Sequence, residues 1–306
     1  MTHPSQRERT DLFGNASVRE VSYALGLSRG GIARRCLGPL LYLPAGRIAR
    51  ICVRADEAVA ASGLSGGARS VLHDCSLRVS PRGAETIPPH GPVLVVSNHP
   101  GGLDSIAVLS SIPRRDLSVV ISDSPFTRAF LTARSQFVFA PQDPAGRIGT
   151  LRASIARLRQ GAALLLFPHG DVEPDPEIGT GAFESIGEWS RSVELMLRGA
   201  PETQLVVAIA SGVLMPRLAR SALVRIRRSA PRRQKLAQVL QFLLQVARPR
   251  SVRLDIHLSF AAPVAASDLP AAEPMPAVAA IARRLLAEHM ATLPSGPRLD
   301  RPREPM

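Results

Sequence analysis

His99 and Asp104 stand five positions apart in "SNHPGGLDS", residues 97–105, directly after "PVLVV" and before "IAVLSSI". A carboxylate on one imidazole nitrogen fixes the tautomer and stabilises the imidazolium, leaving the other nitrogen as a general base. Gly101 and Gly102 let the backbone turn sharply and let a substrate come close. "VLVV" reads as a buried strand, and Asp104-Ser105 ahead of an apolar run reads as a helix N-cap. The segment is therefore strand, tight turn, helix. Ligands of α/β sheets bind at this place, beyond the carboxyl ends of strands and near helix N-termini. A structural reading competes: Asp104 only caps the helix and His99 is a satisfied turn residue. Asp104 could also do both jobs.

A second apolar strand ends in a turn at "ALLLFPHGDVEPD", residues 163–175, which contains Phe167, Pro168, His169 and Gly170. His-x4-Asp after one strand, Phe-Pro-x-Gly after a later one, and a basic helix between them form a pattern. It resembles the glycerophosphate/lysophosphatidate acyltransferase family, the phospholipid/glycerol acyltransferases, over roughly residues 80–215. The preamble "RGAETIPPHGPVLVVSNH" fits that family, and "QLVVAIASG" stands where its fourth block, an apolar strand, belongs. The resemblance implies direct transfer. His99, oriented by Asp104, would take a proton from an acceptor hydroxyl as the oxygen attacks the thioester of an acyl-CoA or acyl-carrier protein. Turn N–H groups near Gly170 would steady the oxyanion. Substrate contacts would fall to Gly101, Gly102, Arg147, Phe167, Pro168, His169 and Gly170, with no metal and no cofactor beyond the acyl donor.

The sequence departs from the family at named places. His169 replaces its glutamate, Asp171-Val172 replaces its Thr-Arg, and Pro141 lies near the arginine expected after "FVFA", the next arginine being Arg147. In the family these positions help hold the acceptor's phosphate. A lipid-like or unphosphorylated hydroxyl is therefore expected as acceptor rather than glycerol 3-phosphate.

The net charge of +13 is carried almost wholly by arginine and draws the protein to phosphate, whether nucleic acid, anionic lipid or substrate. Aromatic content of 4% argues against base-stacking platforms. The three cysteines, Cys36, Cys52 and Cys75, form no Cys-x-x-Cys, which disfavours a disulfide framework and a zinc knuckle and makes a reducing cytosol the default. The polar start lacks the apolar core of a secretory signal, and no apolar run approaches the ~20 residues of a spanning helix.

Apolar strand runs alternate with helical patterns at 104–112, 125–134, 147–160, 185–198 and 231–247. This predicts an α/β fold: a mixed, mostly parallel central sheet flanked by helices, with an N-terminal helical segment. Residues 1–77 are expected to be a frayed tail (1–17) followed by helical pieces broken at Gly30-Gly31, Pro44 and Gly66-Gly67. Residues 78–292 would form the acyltransferase domain and 293–306 a disordered tail.

Other features carry weaker readings. Arg147 suits a phosphate contact, whereas Arg152, Arg157 and Arg159 suit a solvated helix face. Asp171, Glu173, Asp175 and Glu177 alternate with prolines, as expected of a solvated loop rather than a metal cage. Residues 211–260 hold eleven Arg/Lys against one acid, Asp255. Within them, Gln234, Gln238, Gln241 and Gln245 form a polar stripe opposite Leu236, Val239, Leu240, Leu243 and Val246. Such a helix suits either an anionic membrane surface or a core-buried apolar face with an arginine rim. "IARRCLGPLLYLPAGRIAR" is a second, weaker interfacial candidate. The expected place of work is peripheral, at the cytoplasmic face of a membrane. Two other functions compete: a metal-dependent hydrolase using His99, Asp104, His169 and Asp171, which lacks a compact ligand pair, and an arginine-rich nucleic-acid binder, not favoured because no recognition motif is present.

Overall fold

The computed structural model describes residues 5–24, 32–141, 143–226, 229–247 and 254–293. In chain order the elements are α1 (Gln6–Ala24), α2 (Ile32–Asp74), β1 (Arg78–Arg82), β2 (Val93–Ser97), α3 (Gly102–Ser111), β3 (Ser118–Ser122), α4 (Pro125–Arg128), β4 (Phe137–Ala140), α5 (Pro144–Arg159), β5 (Ala163–Leu166), α6 (Ala182–Ser185), α7 (Ser192–Gly199), β6 (Gln204–Ser211), α8 (Pro216–Ala219), α9 (Ala222–Arg225), α10 (Ala230–Ala247), β7 (Asp255–Phe260), β8 (Val264–Ala265) and α11 (Pro274–Thr292).

The strands form one eight-stranded sheet in the order β1-β7-β6-β2-β5-β3-β4, with β8 also pairing β6. Pairing is parallel from β6 through β4; β7 and β8 run antiparallel to β6, and β1 runs parallel to β7. The central strand β2 is buried at every position. That is why it reads as an unbroken Val/Leu run: a parallel strand covered on both faces has no polar side to alternate with. Its residues still divide between two cores. Val93 and Val95 join Leu165, Val206 and Ala208 beneath α2 and α3. Leu94 and Val96 join Leu164, Leu166, Val207 and Ile209 beneath α5, α7 and α11. The mixed, mostly parallel sheet between helical layers is the expected one.

The N-terminal segment departs from expectation. Residues 6–24 are helical, and Phe13 is fully buried edge-on to Phe126 and Phe130, with ring centroids 6.2 and 4.8 Å away. The fully buried Asp56 of α2 accepts the backbone N–H groups of Leu131, Thr132 and Ala133 and pairs with Arg9 at 2.8 Å. Residues 6–17 are therefore not a frayed tail, because one aromatic and one arginine suffice to dock them. α2 also runs through Pro44 and Gly66-Gly67, and its break falls at Gly63, at φ 67°. There the absent side chain matters, since a Cβ would lie 3.0 Å from the Arg115 carbonyl oxygen and the positive φ itself favours glycine. Gly67 has no room for a Cβ beside Val59 and the Ala55 carbonyl, so it serves close packing. Of the second interfacial candidate, Ala45, Ile48 and Ala49 are buried in the protein, and the expected break at Gly30-Gly31 and the expected tail from 294 lie outside the described residues.

Candidate active site

β2 ends at Ser97, and the chain is fixed for one residue more. The Asn98 side chain donates to the Ala210 carbonyl at 3.0 Å and accepts the Ala210 N–H at 2.7 Å, extending the β2–β6 pairing by a side-chain bridge. His99 follows at the carboxyl end of the parallel strands. Its Nδ1 lies 2.9 Å from Oδ2 of Asp104, which is fully buried in the first turn of α3. The other carboxylate oxygen accepts the Ser105 N–H at 2.6 Å. Asp104 therefore does both jobs weighed for it, although the N-cap position itself is Gly101 and carries no side-chain cap. Nδ1 donates to the acid, so Nε2 is the basic nitrogen. It meets no hydrogen-bond partner among the described residues, and the His99 side chain is 25% exposed.

Burial alone would lower the His99 pKa. The charge and hydrogen bond of Asp104, with the charges of Glu173 and Asp171, outweigh it and raise the pKa above its ordinary value. The Phe167 ring lies against the imidazole, centroids 4.6 Å apart. This contact follows from topology, since β5 pairs directly with β2.

The acidic-proline segment is a correction to the sequence reading. Glu173 and Asp175 are buried, not solvated. Glu173 accepts the His99 N–H at 2.8 Å and the Trp189 indole N–H at 3.0 Å, and its own N–H donates to the His99 carbonyl at 2.8 Å. Asp175 accepts the N–H groups of Glu177, Gly212, Val213 and Leu214, holding the chain where it leaves β6. Burial pushes Asp175 up to about 6 against the pull of those amides. Glu177 accepts from Ser211 at 2.6 Å, and Ser211 bonds His289 Nε2 at 2.7 Å, while Ser259 bonds His289 Nδ1 at 2.8 Å. Because Ser211 donates to Glu177, His289 Nε2–H must donate to Ser211; with the ring neutral, Ser259 donates to Nδ1. Burial first, then the neighbouring His257 and Arg82, lower the ring's pKa to about 4, and the neutral ring fits this pattern.

The glutamine stripe of α10 is the second correction. Gln241 and Gln245 are buried, and Gln234 and Gln238 donate to the Pro100 carbonyl at 2.8 Å each. A Cβ on Gly101 would lie 2.7 Å from the Gln238 amide nitrogen, so a side chain there would have to push that amide aside. Leu236 and Val246 are buried as well, so neither stripe as a whole faces out.

The remaining expected site residues divide. Pro168 accepts from Ser190 through its carbonyl, and His169 bonds the Asp171 carbonyl through Nδ1 and Glu188 through Nε2 at 3.3 Å. Gly170 has φ 77°, but its N–H closes the turn on the Phe167 carbonyl and is not free for an oxyanion. Gly102 opens α3, and its carbonyl accepts from Ser105. Arg147 is exposed near the start of α5. That helix follows β4, three places from β2 in the sheet, which at ~4.8 Å per strand is roughly 14 Å from the His99 strand. Arg157 and Arg159 bind the carbonyls of Ser135 and Gly199, so they tie elements together rather than form a free face. The hydrolase set does not converge: Asp171 pairs with Lys235 at 2.7 Å and His169 with Glu188, and no group of three potential ligands gathers among the described residues.

Residues 78–192 match the family model described as Acyltransferase, which spans β1 to the start of α7 and contains both His99 and Asp104. The chain carries an acyltransferase domain. The acyltransferase also resembles the crystal structure of the 1-acyl-sn-glycerophosphate (LPA) acyltransferase PlsC from Thermotoga maritima, with a TM-score of 0.51 and 14% identity over 95% of this chain and 98% of that one. At that identity the likeness speaks for the fold, N-terminal helices included. No curated protein matches the sequence. The residues of the acyltransferase that sequence reasoning missed are Asn98, Glu173, Trp189, Gln234 and Gln238. Trp189 is the sole tryptophan of the chain, and its indole N–H had to find a partner once buried.

Proposed function

We propose that the enzyme moves a fatty acyl group from an acyl-CoA or acyl-carrier protein to a hydroxyl of a glycerolipid or lyso-lipid. The observation that carries this reading is the His99 Nδ1–Asp104 contact of 2.9 Å at the carboxyl end of β2, inside the acyltransferase domain. Nε2 of His99 takes the acceptor proton as the oxygen attacks the thioester carbonyl. The proton then passes from the imidazolium to the departing thiolate, and Asp104 stabilises the ring between the two transfers. The first turn of α3 lacks a side-chain cap beside this base, so its N–H groups are better candidates for the oxyanion than Gly170.

His169 is engaged by Glu188 and Arg147 is far along the sheet, which supports a lipid-like or unphosphorylated hydroxyl as acceptor. The place of action is peripheral, at the cytoplasmic face of a membrane. Among the described residues, no helix is long and apolar enough to cross one. Incubation with labelled acyl-CoA or acyl-carrier protein and a panel of lyso-lipids, amino-lipids and glycerol 3-phosphate tests the reading. Transfer to a lyso-lipid is expected; robust turnover of glycerol 3-phosphate would overturn the acceptor choice, and no transfer to any member would overturn the activity.

A further inference from the structure

Between β6 and β7 the chain leaves the sheet and makes α8, α9 and α10, and from 211 to 254 the sequence has no aspartate or glutamate. Val224 anchors α9 inward, packed with Leu214, Leu236 and Ala237. The other side of that short helix presents Leu223 at 54% and Ile226 at 73% exposure. Arg217, Arg220, Arg225 and Arg232 are exposed on the same excursion.

We infer that this excursion is the surface by which the enzyme docks onto a bilayer containing anionic phospholipid, with Leu223 and Ile226 entering the headgroup–acyl boundary and the arginines on the phosphates. Nucleic acid would reward the arginines alone. A bilayer with anionic headgroups rewards bare aliphatic side chains and cations together. The opposite side of α10 donates Gln234 and Gln238 to the Pro100 carbonyl, next to His99. The docked surface and the catalytic turn are thus both carried by α10, which meets Pro100 through its glutamines and α9 through Leu236 and Ala237. The face is not either stripe of α10, because the glutamine side of that helix is turned to the protein and Leu236 and Val246 are buried. The inference rests on the proposed lipid acceptor for its purpose, not for its geometry.

Flotation with phosphatidylcholine vesicles, with and without phosphatidylglycerol, tests it without any acyl donor. A basic residue at such a surface is worth roughly fivefold in partitioning. Arg220→Glu/Arg225→Glu and Leu223→Ser/Ile226→Ser should each lower binding to anionic vesicles about tenfold or more, and wild-type binding should weaken with salt. His99→Ala should bind as wild type does. Both surface variants should still acylate a short-chain acceptor dissolved as monomers. Vesicle binding without acyl transfer would support the surface and sink the proposed activity; acyl transfer without preference for anionic vesicles would do the reverse. Wild-type affinity in both surface variants, or salt-sensitive binding to duplex DNA with none to vesicles, would overturn the inference.

Discussion

The turn after β2 and the segment after β5 leave neighbouring parallel strands, and each brings carboxylates to His99. They use them differently. Asp104 meets the imidazole itself and so acts on its chemistry, whereas Glu173 meets the backbone N–H of the same residue and so acts on its position. Asp175, two residues on, does not touch His99 and holds the exit of β6 through four amides. A short-range turn thus supplies the reacting pair, and a longer, proline-stiffened segment supplies the frame. Substitutions in the first should cost activity and spare the fold; substitutions in the second should cost stability.

The largest effect is expected at His99. His99→Ala should lower acyl transfer by ~10²–10⁴-fold with far-UV circular dichroism unchanged. Asp104→Asn keeps a side chain of similar size but loses the charge behind the imidazolium, and should lose ~10²-fold or more. The double variant should be little worse than His99→Ala, because the pair acts as one unit. The wild-type enzyme adds a pH test. The base works only when neutral and its pKa is raised, so kcat/KM should fall as pH drops through a value above 6.5, and this limb should move to lower pH in Asp104→Asn. A near wild-type rate in folded His99→Ala would erase the distinction between the two regions.

Asp175→Ala comes next, and here the readout is denaturant unfolding. Four N–H groups, two of them buried, would lose their acceptor, at a cost of about 3–5 kcal/mol. An unchanged midpoint would show that the frame does not depend on this residue.

The smallest effect concerns His289, at the far end of the same frame. Its folded pKa of about 4 lies below its ordinary 6.5, so the unfolded chain binds the extra proton first. The stability it contributes is whole above 6.5 and is lost as pH falls from 6.5 towards 4, on the order of 3 kcal/mol. Asp175, with its pKa raised to about 6, slopes the other way as pH falls from 6 towards its ordinary value of 3.8. Subtracting the stability–pH profile of His289→Gln from that of wild type isolates the histidine, and parallel profiles would rule its contribution out.

Some of this protein was determined by local sequence. Unbroken Val/Leu runs specify buried parallel strands, because covered faces admit no polar alternation. His99 and Asp104 are linked by one tight turn, so their types and spacing bring them together with little help from the rest of the chain. The resemblance of "FPHG" to a family block likewise marks a turn that β5 carries to the side of β2. What the tertiary structure alone decided are the partners that arrive from far along the chain. Glu173 reaches His99 across 74 positions and Gln234 reaches Pro100 across 134. Nothing local distinguishes a glutamate that will be buried on a backbone amide from one in a solvated loop. The direction of α10 was undecidable for the same reason. A helix with a glutamine stripe and a leucine stripe turns to the protein whichever side finds partners, and here carbonyls at the catalytic turn and at Val213 hold Gln234, Gln238 and Gln241 inward.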